Sequence, residues 1–131
     1  YVYAGDRRER QMCMRVSSKR IVRWYIQFRC AFALKSFSRI EYLEWQSHPQ
    51  PVAFLAKRFA AKEAFSKAVN TGIRNPVTLG NIGVIHDELG KPEFWVAEPL
   101  QAWMDERGIK HVHLSLTDEG HYSVAFVVAE R

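Results

Sequence analysis

Glu63 and Lys67 are the residues in this chain best placed to do chemistry. They stand one helical turn apart in residues 54–69, a stretch rich in Ala, Lys, Arg, Leu and Glu that favours helix. At three- and four-residue spacing they share a face with Ala56, Phe59 and Ala60. That face is mostly apolar, so it is expected to be partly buried. A carboxylate there loses water and requires a cation, hydrogen bonds or a metal. Lys67 is one such partner, and an ordinary helical ion pair accounts for the spacing by itself. The alternative is a carboxylate holding a hard divalent cation next to an ammonium that faces an anionic substrate. Spacing alone favours the ion pair.

The surrounding elements must position this pair. Pro49 and Pro51 disfavour helix just upstream, and Gly72 is a stop signal beyond it. Asn70-Thr71-Gly72-Ile73-Arg74-Asn75-Pro76 is a loop dense in turn formers, where a glycine lets backbone approach a ligand. Residues 83–87 and 93–96 read as a hairpin around Glu88-Leu89-Gly90-Lys91-Pro92, which holds Lys91 on a stiff, exposed turn. Residues 99–107 form a short helix with Leu100, Trp103 and Met104 toward the core. In His111–Leu116, Val112, Leu114 and Leu116 alternate with His111, His113 and Ser115. Thr117-Asp118-Glu119-Gly120 is expected to turn the chain into a last strand over 121–129. From Val124 on, that strand is apolar on both faces, so both should be covered, one of them by a partner subunit. His111 and His113 lack a third Cys or His ligand, which favours a polar sheet face over a metal site. Together these elements predict one α+β domain over 1–131, a central helix packed on an antiparallel sheet.

The totals agree. The 131 residues suit one domain, and 47% hydrophobic with 25% charged residues is ordinary for a soluble globular chain. Cys13 and Cys30 are too few for a disulfide framework and lack zinc spacing. No apolar run reaches membrane-spanning length. The net charge of +5 is unevenly placed: residues 1–39 hold ten Lys/Arg and two Asp/Glu, and residues 40–131 hold nine and twelve. A mildly acidic body argues against nucleic acid as the partner. A cytoplasmic protein without membrane attachment is the expectation.

Lys57-Arg58-Phe59-Ala60-Ala61-Lys62-Glu63-Ala64-Phe65-Ser66-Lys67-Ala68, followed by Gly72-Ile73 and by Asp87-Glu88-Leu89-Gly90-Lys91-Pro92, closely resembles the bacterial holo-acyl-carrier-protein synthases. These are small phosphopantetheinyl transferases, and the resemblance runs over residues 49–131. It implies a phosphopantetheinyl-transferase-like fold, a homotrimer with active sites between neighbouring subunits, and Mg2+-dependent transfer of phosphopantetheine from coenzyme A to a serine of apo-acyl-carrier protein in fatty acid biosynthesis. It implies catalytic roles for Glu63 and Lys67, with Glu63 as the metal ligand. It also implies a coenzyme pocket shaped by Ser66, Lys67, Gly72, Ile73, Lys91, Pro92, Ser115 and Thr117.

The first forty residues do not carry the resemblance. Such enzymes open on a Gly-Thr-Asp-Ile strand whose Asp binds magnesium, and a later turn holds an Asp that activates the attacking hydroxyl through water. This chain has Ala4-Gly5-Asp6-Arg7 at its start and Phe37-Ser38-Arg39-Ile40-Glu41 at the turn, with Arg39 where the second Asp belongs. The basic residues of the front segment, and a helix expected over 19–35, suit an acidic carrier protein by charge alone. The abrupt change of composition reads as out-of-frame translation, so residues 1–39 are expected to stand apart from the original fold. Two other readings follow: a catalytically impaired homologue that binds coenzyme A, and a module whose basic segment binds RNA or an anionic surface.

Overall fold

The computed structural model describes residues 3–4, 9–17 and 37–131. Asp6 and the helix expected over 19–35 lie outside them. The element order is β1 (Tyr3–Ala4), β2 (Glu9–Ser17), α1 (Arg39–Ser47), α2 (Pro51–Ala68), β3 (Ile82–His86), β4 (Pro92–Val96), α3 (Glu98–Glu106), β5 (His111–Glu119) and β6 (Tyr122–Glu130). The sheet has order β1-β2-β6-β5 with antiparallel pairing, and β3 and β4 form a separate hairpin.

The central helix is α2. It starts at Pro51 rather than Phe54, because proline at the first helical position gives up only an N–H that would be unpaired anyway. Ala56, Ala60, Ala61, Ala64 and Ala68 are buried along it, so its backbone approaches β6 and β2 closely. On the sheet, Leu114, Ala125, Val127 and Ala129 are buried in the same core. Leu55 and Phe65 are fully buried, each contributing about 1.5–3 kcal/mol by leaving water. Phe65 meets Phe94 of β4 edge-on at 4.9 Å, which ties the hairpin to the helix. Gly83 keeps β3 close to α1, since a Cβ there would stand 3.0 Å from Trp95 Cε3 and 3.3 Å from Ser38 Oγ.

Three expectations change. Ser38 to Glu41, read as a turn, is a reciprocal capping box that starts α1. β5 continues through Glu119, so Thr117 lies within a strand; the reversal falls on Gly120 and His121, with Gly120 at φ +57°. The basic front segment supplies β2, which pairs with β6 from Glu9↔Glu130 to Ser17↔Tyr122. The alternation on β5 holds: Leu114 is buried and Val112 and Leu116 half-buried, while His111, His113 and Ser115 are exposed.

Candidate active site

Glu63 and Lys67 are both half-buried on α2. Burial lowers the Lys67 ammonium below its ordinary value. Ser66, between them, is fully buried, and its hydroxyl donates inward to the Glu63 carbonyl at 2.8 Å. The helix then closes on the loop that sequence singled out. The Thr71 and Gly72 N–H groups both donate to the Ser66 carbonyl, at 3.0 and 3.1 Å, and Gly72 takes φ +68°. Nothing stands within 4 Å of a Cβ built on Gly72, and Ile73 beside it is 40% exposed. Backbone and an apolar side chain are thus presented to solvent one turn from Lys67.

Lys91 and Pro92 follow a tightly stapled hairpin turn. Asp87 Oδ1 accepts from the Leu89 and Lys91 N–H groups at 2.9 and 2.8 Å, and the Gly90 N–H donates to the Asp87 carbonyl at 3.0 Å. This Asx-type turn is the physical reason Lys91 is held out from the body. Ser115 and Thr117 project from the outer face of β5, opposite Phe126 and Val124. Within one chain, the predicted residues therefore occupy three places: the second half of α2 with its following loop, the hairpin turn, and the sheet face directed away from α2.

Two groups went unread in the sequence. A cleft beside Pro92 and Gly90 is lined by His48, Lys57, Arg58, His86 and Glu44. Lys57 bonds Asp118 at 2.7 Å, and Arg58 Nη2 bonds Glu44 at 3.4 Å. Lys57-Arg58 stands at the head of the signature stretch, so four-residue spacing onto Ala61 and Lys62 was the available signal. The second group is internal. Glu41 and Lys62 are fully buried and bond each other at 2.5 Å, and Lys62 Nζ also donates to the Leu79 carbonyl at 2.8 Å. Burial lowers the Lys62 ammonium to about 8, although Glu41 pulls it upward.

Comparison with known proteins decides what this arrangement belongs to. The family model of the 4'-phosphopantetheinyl transferase superfamily matches residues 16–127. The chain belongs to that superfamily. It is 53% identical to the holo-[acyl-carrier-protein] synthase of Neisseria gonorrhoeae over 116 residues, 88% of this chain and 93% of the relative. The crystal structure of holo-[acyl-carrier-protein] synthase from Neisseria meningitidis superposes with a TM-score of 0.90 at 50% identity, covering 92% of this chain and 97% of that one. The Bacillus anthracis synthase, solved in complex with CoA (3',5'-ADP), superposes at 0.74 with 30% identity, covering 92% and 94%. The chain is accordingly a phosphopantetheinyl transferase of the holo-acyl-carrier-protein synthase family. The matched span of this transferase begins at residue 16, inside β2, so it reaches upstream of the motifs that carry the resemblance.

Proposed function

We propose that this transferase moves phosphopantetheine from coenzyme A to a serine hydroxyl of an apo-acyl-carrier protein, in fatty acid biosynthesis in the cytoplasm. The observation that carries the reading is the half-buried carboxylate–ammonium pair of Glu63 and Lys67, one turn from a glycine loop open to a ligand. The serine oxygen forms a bond to the coenzyme's pantetheine-side phosphorus. The bond from that phosphorus to the bridging oxygen breaks, adenosine 3',5'-bisphosphate leaves, and the hydroxyl proton passes to water. Such transfer needs alignment and charge neutralisation more than covalent help.

Lys67, its ammonium lowered by partial burial, would meet a phosphate oxygen. Gly72 and Ile73 would line the coenzyme, and Lys91, Pro92, Ser115 and Thr117 would complete the pocket from other elements. Ser66 would act from inside the helix, fixing the turn that carries Glu63. Because these residues sit at three places on one chain, a homotrimer that brings the outer face of one subunit to α2 of the next would assemble them. Tyr122 and Phe126, both 39% exposed on that face, suit such a contact.

Among the described residues no three His, Cys, Asp or Glu side chains cluster as a metal site. Mg2+ keeps much of its water and binds through one or two carboxylates plus substrate phosphates, so Glu63 fits it in donor chemistry. When bound, the ion would neutralise charge on the diphosphate. The described residues include no helix long and apolar enough to cross a membrane.

One observation favours a slower, coenzyme-binding homologue. Arg39 is exposed where the family's water-activating Asp is expected, and the nearby Glu41 carboxylate is buried and committed to Lys62. Transfer of labelled pantetheine onto apo-carrier protein, with Mg2+ present, separates the readings. Product from wild type and none from a folded Glu63→Gln variant supports the transferase. A coenzyme-dependent rise in unfolding temperature without product supports the homologue. Neither response would end both.

A further inference from the structure

The alanine face that lets α2 lie close to the sheet offers no interlocking side chain there, so its rotation is held from its other faces, where Phe54, Leu55 and Phe65 are buried. Ala56, Ala60, Ala64 and Ala68 recur every four residues, all buried and none with a side chain long enough to interlock. Lys57 bonds Asp118 and Arg58 reaches Glu44, but the buried polar contacts of Arg58 and Lys62 meet at Glu41. Its Oε1 accepts from Lys62 Nζ, from the Ser38 N–H at 3.0 Å and from Ser38 Oγ at 3.1 Å. Its Oε2 accepts from the Val84 N–H at 3.1 Å and lies 3.4 Å from Arg58 Nε. Lys62 reaches on to the Leu79 carbonyl. One ion pair thus joins the start of α1, the strand β3 and, through Lys62, the loop before β3 to two successive turns of α2.

A buried ion pair is a poor stabiliser, and apolar residues of similar volume often do as well. Its best-attested use is to fix register, because a buried charge tolerates only the one arrangement that pairs it. We propose that Glu41 and Lys62 are positioning residues: they key the rotation of α2 about its axis and so aim Glu63 and Lys67 at the reacting phosphate. This rests on the transferase reading for the roles of Glu63 and Lys67. A side chain about 6 Å from the helix axis moves roughly 1 Å for each 10° of rotation. A misplacement of about 1 Å can lower a rate roughly 100-fold.

The test is the double variant Glu41→Gln with Lys62→Met. Gln keeps one acceptor, which serves either the capping box or the Val84 N–H, while both members of the buried ion pair lose their charge. The variant is expected to stay folded, with an unfolding midpoint within about 10 °C of wild type. Its crystal structure should show α2 turned by about 10° or more against β6, and its kcat should fall at least about tenfold, beyond any change in KM for coenzyme A. An α2 that superposes on wild type within coordinate error would overturn the proposal. So would an unchanged kcat in a variant whose helix has turned. If wild type itself makes no product, the transferase reading fails, and the crystal structure still decides whether Glu41 and Lys62 set the rotation. If the double variant does not fold, Lys62→Arg, which keeps the charge but shifts its donors, takes its place: the same two measurements are made, and the same two results would overturn the proposal.

Discussion

Removing Lys62 alone should expose how much of the fold depends on its charge. Lys62→Met keeps the volume but leaves the Glu41 carboxylate in a site that is 1% exposed. Breaking a buried pair by deleting one partner costs about 3–5 kcal/mol, because an uncompensated charge remains. Here three donors persist around Glu41, the Ser38 N–H, Ser38 Oγ and the Val84 N–H, and Arg58 Nε stays 3.4 Å away. Those contacts place the loss at the lower end, about 3 kcal/mol. The unfolding entropy of about 2.1 cal/mol/K per residue gives roughly 0.28 kcal/mol/K for 131 residues. The unfolding midpoint should therefore fall by about 11 °C. In urea the midpoint should move down by about 1–3 M with an unchanged slope. A loss under about 1 kcal/mol would refute the reasoning, since it would mean that the core rehydrates or that Arg58 swings in to replace the ammonium.

Gly72→Ala should destabilise by about 1 kcal/mol, read as a fall of roughly 4 °C in the unfolding midpoint, because φ is +68° and the added methyl meets nothing; no change would mean the loop relaxes to another conformation. Burial, then the Arg58 and Lys57 charges, hold the His86 imidazole below 6.5 against the pull of Glu44 and Asp87. The unfolded chain therefore takes up the proton first as pH drops below 6.5, and the stability present above that pH is lost toward the lower folded value. Thermal unfolding followed from pH 7.5 to 5 should show a shallower decline for His86→Gln than for wild type, and parallel curves would contradict this.

Much of the architecture was legible because the strands and helices obey local rules. Val112, Leu114 and Leu116 alternate with His111, His113 and Ser115, and the sheet buries the first set more than the second. Helix α1 is equally legible, since Ser38 and Glu41 stand at capping-box spacing. In the front segment, Met12, Met14 and Val16 alternate with Gln11, Cys13 and Arg15, a strand period masked by the charge count. The Glu41–Lys62 pair could not be read locally. Its partners are 21 residues apart, and a lysine beside Glu63 in a helix ordinarily reads as solvated. The gathering of Lys57, His48 and His86 beside Pro92 likewise depends on how the hairpin docks, which no local pattern specifies.

That cleft also shows how unequal two adjacent cations can be. Lys57 is 38% exposed along its side chain and bonds Asp118, itself half exposed. An exposed pair of this kind is worth about 0–1 kcal/mol, so the Lys57 ammonium leaves Asp118 at little cost. Arg58 is buried, lies 4.5 Å over the Phe54 ring, and faces both Glu41 and Glu44. Moving it would uncover a buried carboxylate and strip a cation–π contact. The cleft therefore holds one cation that is loosely paired and one that is fixed to its wall.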